Sequence, residues 1–242
     1  MADLTRIAQI MAEAVNGPGS PALPERLCAA CVEALAVEAA AITLMADTGH
    51  RAGVWASDDR ARRLEERQFS LGEGPGVDAF RTRRAVLVLD LLAPEELRWP
   101  VLGAALASSG PGDGSLRGAC AVPLHLGASG IGVLSLYRTA PGLPDNGQRA
   151  DIEVAATTVT LAIVGSLASA PGEVPARPWL EDPPLNGVEV DQAVGMVMAQ
   201  LSLPAPEALD RLRAYAFAHD REIDAVAREV VRRRLRFTEE DR

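Results

Sequence analysis

No lysine occurs anywhere in the 242 residues; all 24 basic side chains are arginine. A P-loop needs a lysine on its phosphates, a protein kinase needs its strand lysine, and Schiff-base enzymes need an amine. Those three classes are excluded together. Aromatic residues make up only 4% of the chain, so its cores must be built from Ala, Val and Leu. The three cysteines are an odd number and no export signal precedes them, which implies reduced thiols and a cytoplasmic address. Cys28-x-x-Cys31 has redox spacing, but with no further Cys or His nearby it reads as two small buried residues, as does Cys120. His50, His125 and His219 form no ligand spacing. Neither metal nor cofactor is expected. Long apolar runs are missing too. The two longest uncharged stretches, 118–137 and 154–172, are broken by a Gly/Ser turn and by Ser, Thr and Pro-Gly, so no membrane span is expected.

What is present concentrates at the C-terminal end. Val190, Ala193, Val194, Val197, Met198 and Leu201 fall on one face of a helix; Ala208, Leu209, Leu212 and Ala216 form a second stripe, with Pro206 and Glu207 suited to its first turn. Ile223, Val226, Ala227, Val230 and Val231 form a third stripe, with Asp220 as its expected N-cap. None of these short helices can bury its stripe alone, so an all-α three-helix unit is expected. Eight arginines (Arg211, Arg213, Arg221, Arg228, Arg232, Arg233, Arg234, Arg236) stand against four acids between 211 and 237, in a chain whose net charge is −9. Such asymmetry points to a polyanionic partner for the basic end. Taken alone, the apolar stripes would also suit a helical dimerisation tail.

The order Gln192-Ala193, Gly195-Met196, Met198, Glu207-Ala208-Leu209, Leu212-Arg213, Ala216, Val226-Ala227 and Val230-Val231 resembles an ANTAR domain. The resemblance implies hairpin RNA as partner and prevention of transcription termination as function. It departs at one position: the lysine the family usually places between the alanine and glycine of the first helix is Val194 here. The expected RNA-binding residues are Gly195, Arg211, Arg213, Arg221, Arg228, Arg232, Arg233 and Arg236. Arg228, Arg232 and Arg236, at i, i+4 and i+8, are expected to share one helix face.

The first 168 residues read as mixed α/β. Helices are expected over 3–15, 24–37, 58–67 (capped by Ser57 or Asp58), 94–108 and 145–167. Strands are expected over 39–45, 53–56, 85–89 and 118–126, with 131–137 returning through a Gly/Ser turn. Leu71-Gly72-Glu73-Gly74-Pro75, Asp90, Arg98-Trp99-Pro100 and the terminal hairpin around Val122-Pro123-Leu124 and Gly132-Val133-Leu134 resemble a GAF domain. That likeness implies an α+β sensor, an antiparallel sheet flanked by helices, with an unidentified small-molecule ligand. GAF domains fused to ANTAR tails in actinobacteria look similar, although their cysteine after the GEGP turn is Gly76 here. Candidate pocket residues are Trp55, Phe69 and Trp99 as stacking walls, with Asp58, Asp90 and His125 for polar specificity; ordinary core or lid roles are the alternative for the aromatics.

Residues 169–187 are rich in proline and glycine and are read as an extended linker. The expected architecture is therefore a GAF-like sensor domain over 1–168 with N- and C-terminal dimerisation helices, a linker, and an ANTAR domain over 188–242. The expected function is a homodimeric, ligand-responsive, non-enzymatic regulator that binds hairpin RNA, with control by docking and release rather than by a rigid lever. Two alternatives stay open: a DNA-binding factor using a helix-turn-helix-like tail, and a GAF-type methionine sulfoxide reductase, which needs an activated thiol.

Overall fold

The computed structural model describes residues 4–17, 21–45, 51–108, 115–168, 188–219 and 221–238. Among the described residues fourteen elements follow one another: α1 (Leu4–Asn16), α2 (Leu23–Ala34), β1 (Ala39–Met45), β2 (Arg51–Ala56), α3 (Asp59–Leu71), α4 (Pro75–Thr82), β3 (Val86–Val88), α5 (Pro100–Ser108), β4 (Gly118–Leu126), β5 (Ser129–Arg138), α6 (Asn146–Ala168), then α7 (Val188–Leu201), α8 (Ala205–Ala218) and α9 (Ile223–Val231). The expected linker, His50 and Asp220 lie outside the described residues.

The five strands form one antiparallel sheet in the order β2-β1-β5-β4-β3. Successive side chains of β1 point to opposite faces. Ala40, Ile42 and Leu44 join a core with α1, α2 and α6, whereas Ala39 and Ala41 join a second core on the other face with Leu64, Leu102 and Tyr137. Both faces are covered, which is why β1 is apolar apart from Thr43 instead of alternating. Gly132 lies opposite Leu44 at the β1–β5 pairing. A Cβ there would sit 2.1 Å from the Thr43 carbonyl oxygen, so only glycine lets the strands approach.

Helix α6 is 23 residues long and passes the length and composition test for a membrane span. Its Ile152, Ala155, Val159 and Ile163 are instead buried in the core that it shares with α1 and α2. Asp58 Oδ1 accepts from the Ala61 N–H at 2.9 Å and so caps α3, while Ser57 Oγ accepts from Ala40 N. Helix α3 runs on to Leu71, and Gly72 ends it at φ 67°. The GEGP turn therefore joins two helices. Gly74 has φ 135° and no room for a Cβ beside Gln68, so this turn needs its glycines.

The expected helix over 94–108 starts only at Pro100. Its start is fixed from outside: the Glu73 carboxylate accepts from the N–H groups of Val101 and Leu102 at 2.9 and 3.2 Å. These are orphan donors of a first turn, and a carboxylate there also complements the helix dipole. The preceding segment is held otherwise, with Asp90 accepting from Leu92 N and pairing with Arg117.

The three C-terminal helices build a core of their own from Val190, Ala193, Val197, Leu201, Leu212, Ile223, Val226 and Val230, among others. All three expected stripes are buried, except that Met198 and Val231 are only half-buried. Phe237 returns to this core, its N–H donating to Gln200 Oε1 at 2.8 Å.

Candidate functional site

Among the described residues five arginines of the tail are exposed: Arg228, Arg232, Arg233, Arg234 and Arg236. Arg228 and Arg232 flank the outward side of α9, opposite the buried Val226 and Val230. Arg236 does not continue that face, contrary to the i, i+4, i+8 expectation. Helix α9 stops at Val231, Arg233 takes a left-handed conformation at φ 58°, and the N–H of Arg234 closes back on the Glu229 carbonyl at 2.8 Å. Burial of Phe237 turns the chain over the end of the helix, and no helical period could carry that signal.

The remaining expected contacts are distributed differently. Arg211 is half-buried. Arg221 pairs with Glu229 at 3.1 Å, and the bond raises the arginine above its usual range while lowering the carboxylate. Gly195 is exposed on α7, and a Cβ there would meet nothing within 4 Å. Gly195→Ala is therefore expected to raise stability by about 1 kcal/mol through helix propensity. Thermal unfolding together with hairpin RNA affinity checks its role. A more stable variant that binds RNA as tightly as the parent would remove Gly195 from the contact surface.

Arg213 faces inward. Its Nε donates to the Phe69 carbonyl at 3.0 Å, and its guanidinium carbon lies 5.2 Å from the centre of the Phe69 ring. On the same ring, at 4.0 Å, sits the guanidinium of Arg51, a residue only 2% exposed at the start of β2. Phe69 itself, 4% exposed, belongs to the hydrophobic core of the tail rather than to either core of the sheet. Burial pulls Arg51 below the usual arginine range; Asp224 and Asp191 of the tail, with Glu66 and Glu65 of α3, oppose that pull. The seam between the two parts is thus one aromatic ring between two guanidinium groups, with tail carboxylates around the inner one.

The six expected pocket residues are not brought together. Trp55 lies in the core under α1, α2 and α6, Trp99 in the core on the opposite sheet face, and Phe69 in the tail core. The core alternative for the aromatics is the one realised. Asp58 caps α3 and pairs with Arg60, Asp90 pairs with Arg117, and His125 is exposed near the end of the terminal hairpin. The space between the sheet and α3 is filled by a polar network that the sequence pattern does not announce. Tyr137 donates to Glu65 Oε1 at 2.5 Å, Thr43 donates to Glu65 Oε2 at 2.9 Å, Gln68 donates to the Tyr137 hydroxyl at 2.9 Å, and Gly76 N donates to Gln68. Burial, then the Glu65 charge, hold the Tyr137 phenol well above its usual range. Gln68 on α3 hints at a polar interior, but its network draws on strands up to 72 residues away.

The three thiols are buried in the core shared by α1, α2 and α6. Burial pushes Cys31 up to about 12 and Cys120 up to about 11, and raises Cys28 as well, its neighbour Cys31 adding to the effect. Native protein at pH 8 is expected to resist iodoacetamide at all three thiols, while unfolded chain reacts; mass spectrometry after a short pulse reads the difference. Rapid labelling of any one of them in the native state would restore a thiol enzyme as a contender. Among the described residues no three His, Cys, Asp or Glu side chains gather as a metal site.

Comparison with known proteins agrees with these two parts. The GAF domain profile matches residues 22–164, and the ANTAR domain profile matches residues 186–231. The chain superposes on the GAF domain of an Acinetobacter phosphoenolpyruvate-protein phosphotransferase with a TM-score of 0.51 and 12% identity, covering 72% of this chain and all of that one (100%). The corresponding GAF domain from Coxiella burnetii gives 0.45 and 16%, over 68% of this chain and 99% of that one. The free methionine-R-sulfoxide reductase of Neisseria meningitidis gives 0.47 and 15%, over 68% and 90%. At 12% identity the first of these likenesses is one of fold. No curated protein matches the chain.

Proposed function

Because the chain belongs to the GAF-domain family and closes in an ANTAR domain, a type that binds RNA and acts in antitermination, we propose that it is a ligand-responsive regulator that holds off transcription termination by binding hairpin RNA. The observation that carries this reading is the ANTAR match over three packed helices, the last of which presents exposed arginines opposite its buried stripe. RNA loops offer splayed bases and phosphates, and the planar guanidinium is suited to both. The proposed contact set is Gly195, Arg228, Arg232, Arg233 and Arg236, with Arg211, Arg213 and Arg221 joining as the seam allows. We place the domain boundaries at 168 and 188, and the work of the protein in the cytoplasm.

Control acts at the seam. With the tail docked, Arg213 is spent on Phe69; with it released, the same guanidinium is free for a phosphate. A signal that shifts docking therefore changes the charge the tail offers. Affinity for hairpin RNA and for duplex DNA, measured at one salt concentration, tests the reading. Preference for hairpin RNA is expected, and preference for duplex DNA would replace the reading with the helix-turn-helix one.

The protein is further proposed to be a homodimer through its terminal helices. The apolar stripe of α1, Ile7 and Met11, is already buried within the chain. What remains is the outward side of α6, where Thr157, Leu161 (58% exposed) and Gly165 recur at i, i+4 and i+8. Small residues around one leucine let two helices approach closely. Light scattering at micromolar concentration is expected to give twice the chain mass, and a monomer mass would reject the interface.

A further inference from the structure

A cleft of about 850 Å³ runs between the sheet domain and the tail, walled by α3 and α5 on one side and by α8 and the start of α9 on the other. Its volume falls within the range of small-molecule sites. The space under α3 is occupied by the Glu65–Tyr137–Gln68 network, whereas this cleft offers room for an added molecule. Its walls are largely apolar, with Leu71 and Val101 on one side and Phe217 on the other, and the Phe217 ring is 67% exposed.

The charge around those walls is mainly positive. Arg67, Arg213 and Arg221 line the cleft against the single acid Glu222. Arg213 and Arg221 are partly neutralised by Asp210 and Glu229. Among the described residues the Arg67 guanidinium donates only to the Ala105 carbonyl, at 3.5 Å, and forms no ion pair. A guanidinium has five donors in a planar fork, so Arg67 keeps most of its capacity for an anionic group. We propose that this cleft binds an amphipathic organic anion, a flat apolar body against Val101 and Phe217 with its carboxylate, sulfonate or phosphate on Arg67. Neither wall alone encloses such a molecule, so its binding free energy is available only while the tail is docked, and occupancy stabilises that arrangement.

The test uses the full chain and the fluorescent dye 8-anilinonaphthalene-1-sulfonate, whose apolar rings and single anion match the proposed chemistry. Saturable binding of one dye per chain is expected. Arg67→Gln should weaken it about tenfold, the loss of one charge-assisted hydrogen bond. Ala104→Phe, at an exposed position on α5 lining the cleft, should block it by filling the space with no change of charge. Thermal unfolding shows that both variants are folded. Absence of saturable binding to the parent, or parent-like binding to both variants, overturns the site. The regulatory consequence rests on the RNA reading: saturating dye is expected to change hairpin affinity in the parent and not in Ala104→Phe. Dye bound at the cleft with no effect on hairpin affinity overturns the coupling. Failure of the parent to bind hairpin RNA, with or without dye, overturns the RNA reading and leaves the site standing.

Discussion

Phe69→Ala is expected to loosen the tail from the sheet domain and to lower stability by about 3 kcal/mol, the low end of the range for emptying a buried phenylalanine site. The ring is 4% exposed and belongs to the tail core although it comes from α3. Its removal leaves a cavity at the seam and takes away the surface on which Arg51 and Arg213 both rest. Arg51 is then a buried cation among the tail's Asp224 and Asp191 with no ring above it. Hydrogen exchange should rise along α7, α8 and α9 while the amides of β1 and β5 stay protected. Phe69→Leu separates the two contributions. It keeps apolar bulk but has no ring quadrupole, and should cost roughly 1 kcal/mol more than its smaller buried area alone accounts for. Unchanged exchange in the three tail helices of Phe69→Ala would show that the seam does not hold them.

The double variant Arg228→Ala, Arg232→Ala is expected to produce the largest functional loss. Both side chains are exposed on the outer side of α9, clear of the buried Val226 and Val230, so stability should change little. Removing one arginine from a phosphate lowers the salt slope of binding by about one unit, and removing the pair by about two. Affinity for hairpin RNA should fall more steeply at low salt than at high salt. Arg63→Ala is the control, since this exposed arginine of α3 lies on the sheet domain and pairs with Asp59 at 4.0 Å. A double variant with the parent's slope would move the RNA-binding surface to another face of the tail.

The tail is legible in the sequence because its signal is local. Stripes such as Val190, Ala193, Val194 and Val197 repeat with the period of a helix, and three short stripes have nowhere to be buried but against one another. The strands and the terminal hairpin are legible for the same reason, and so is the burial of Cys28 and Cys31 on α2. Boundaries shift where a distant group sets them. Helix α5 begins at Pro100 because Glu73, from the turn between α3 and α4, caps it, and α9 ends at Val231 because Phe237 returns to the core.

The expected pocket does not form, for a related reason. Trp55, Phe69 and Trp99 are scarce and chemically alike, which groups them in the sequence, but the pleat of the sheet and the rotation of α3 send them into three separate cores. The seam leaves no mark that can be read in advance. Arg51 looks like any arginine at the mouth of a strand, and Phe69 looks like the last apolar residue of an amphipathic helix.

The sequence by itself determined the two parts of the protein, the helices of the tail, and the exclusion of lysine-dependent chemistry, since composition and short-range periodicity act through neighbouring residues. Only the tertiary structure decided that Glu65, Gln68 and Tyr137 fill the space beneath α3, that Arg213 lies on Phe69 instead of facing solvent, and that an arginine-lined cleft opens between α5 and α8. Each of these joins groups far apart in the chain, and the contacts arise from packing of completed elements, which no local pattern encodes.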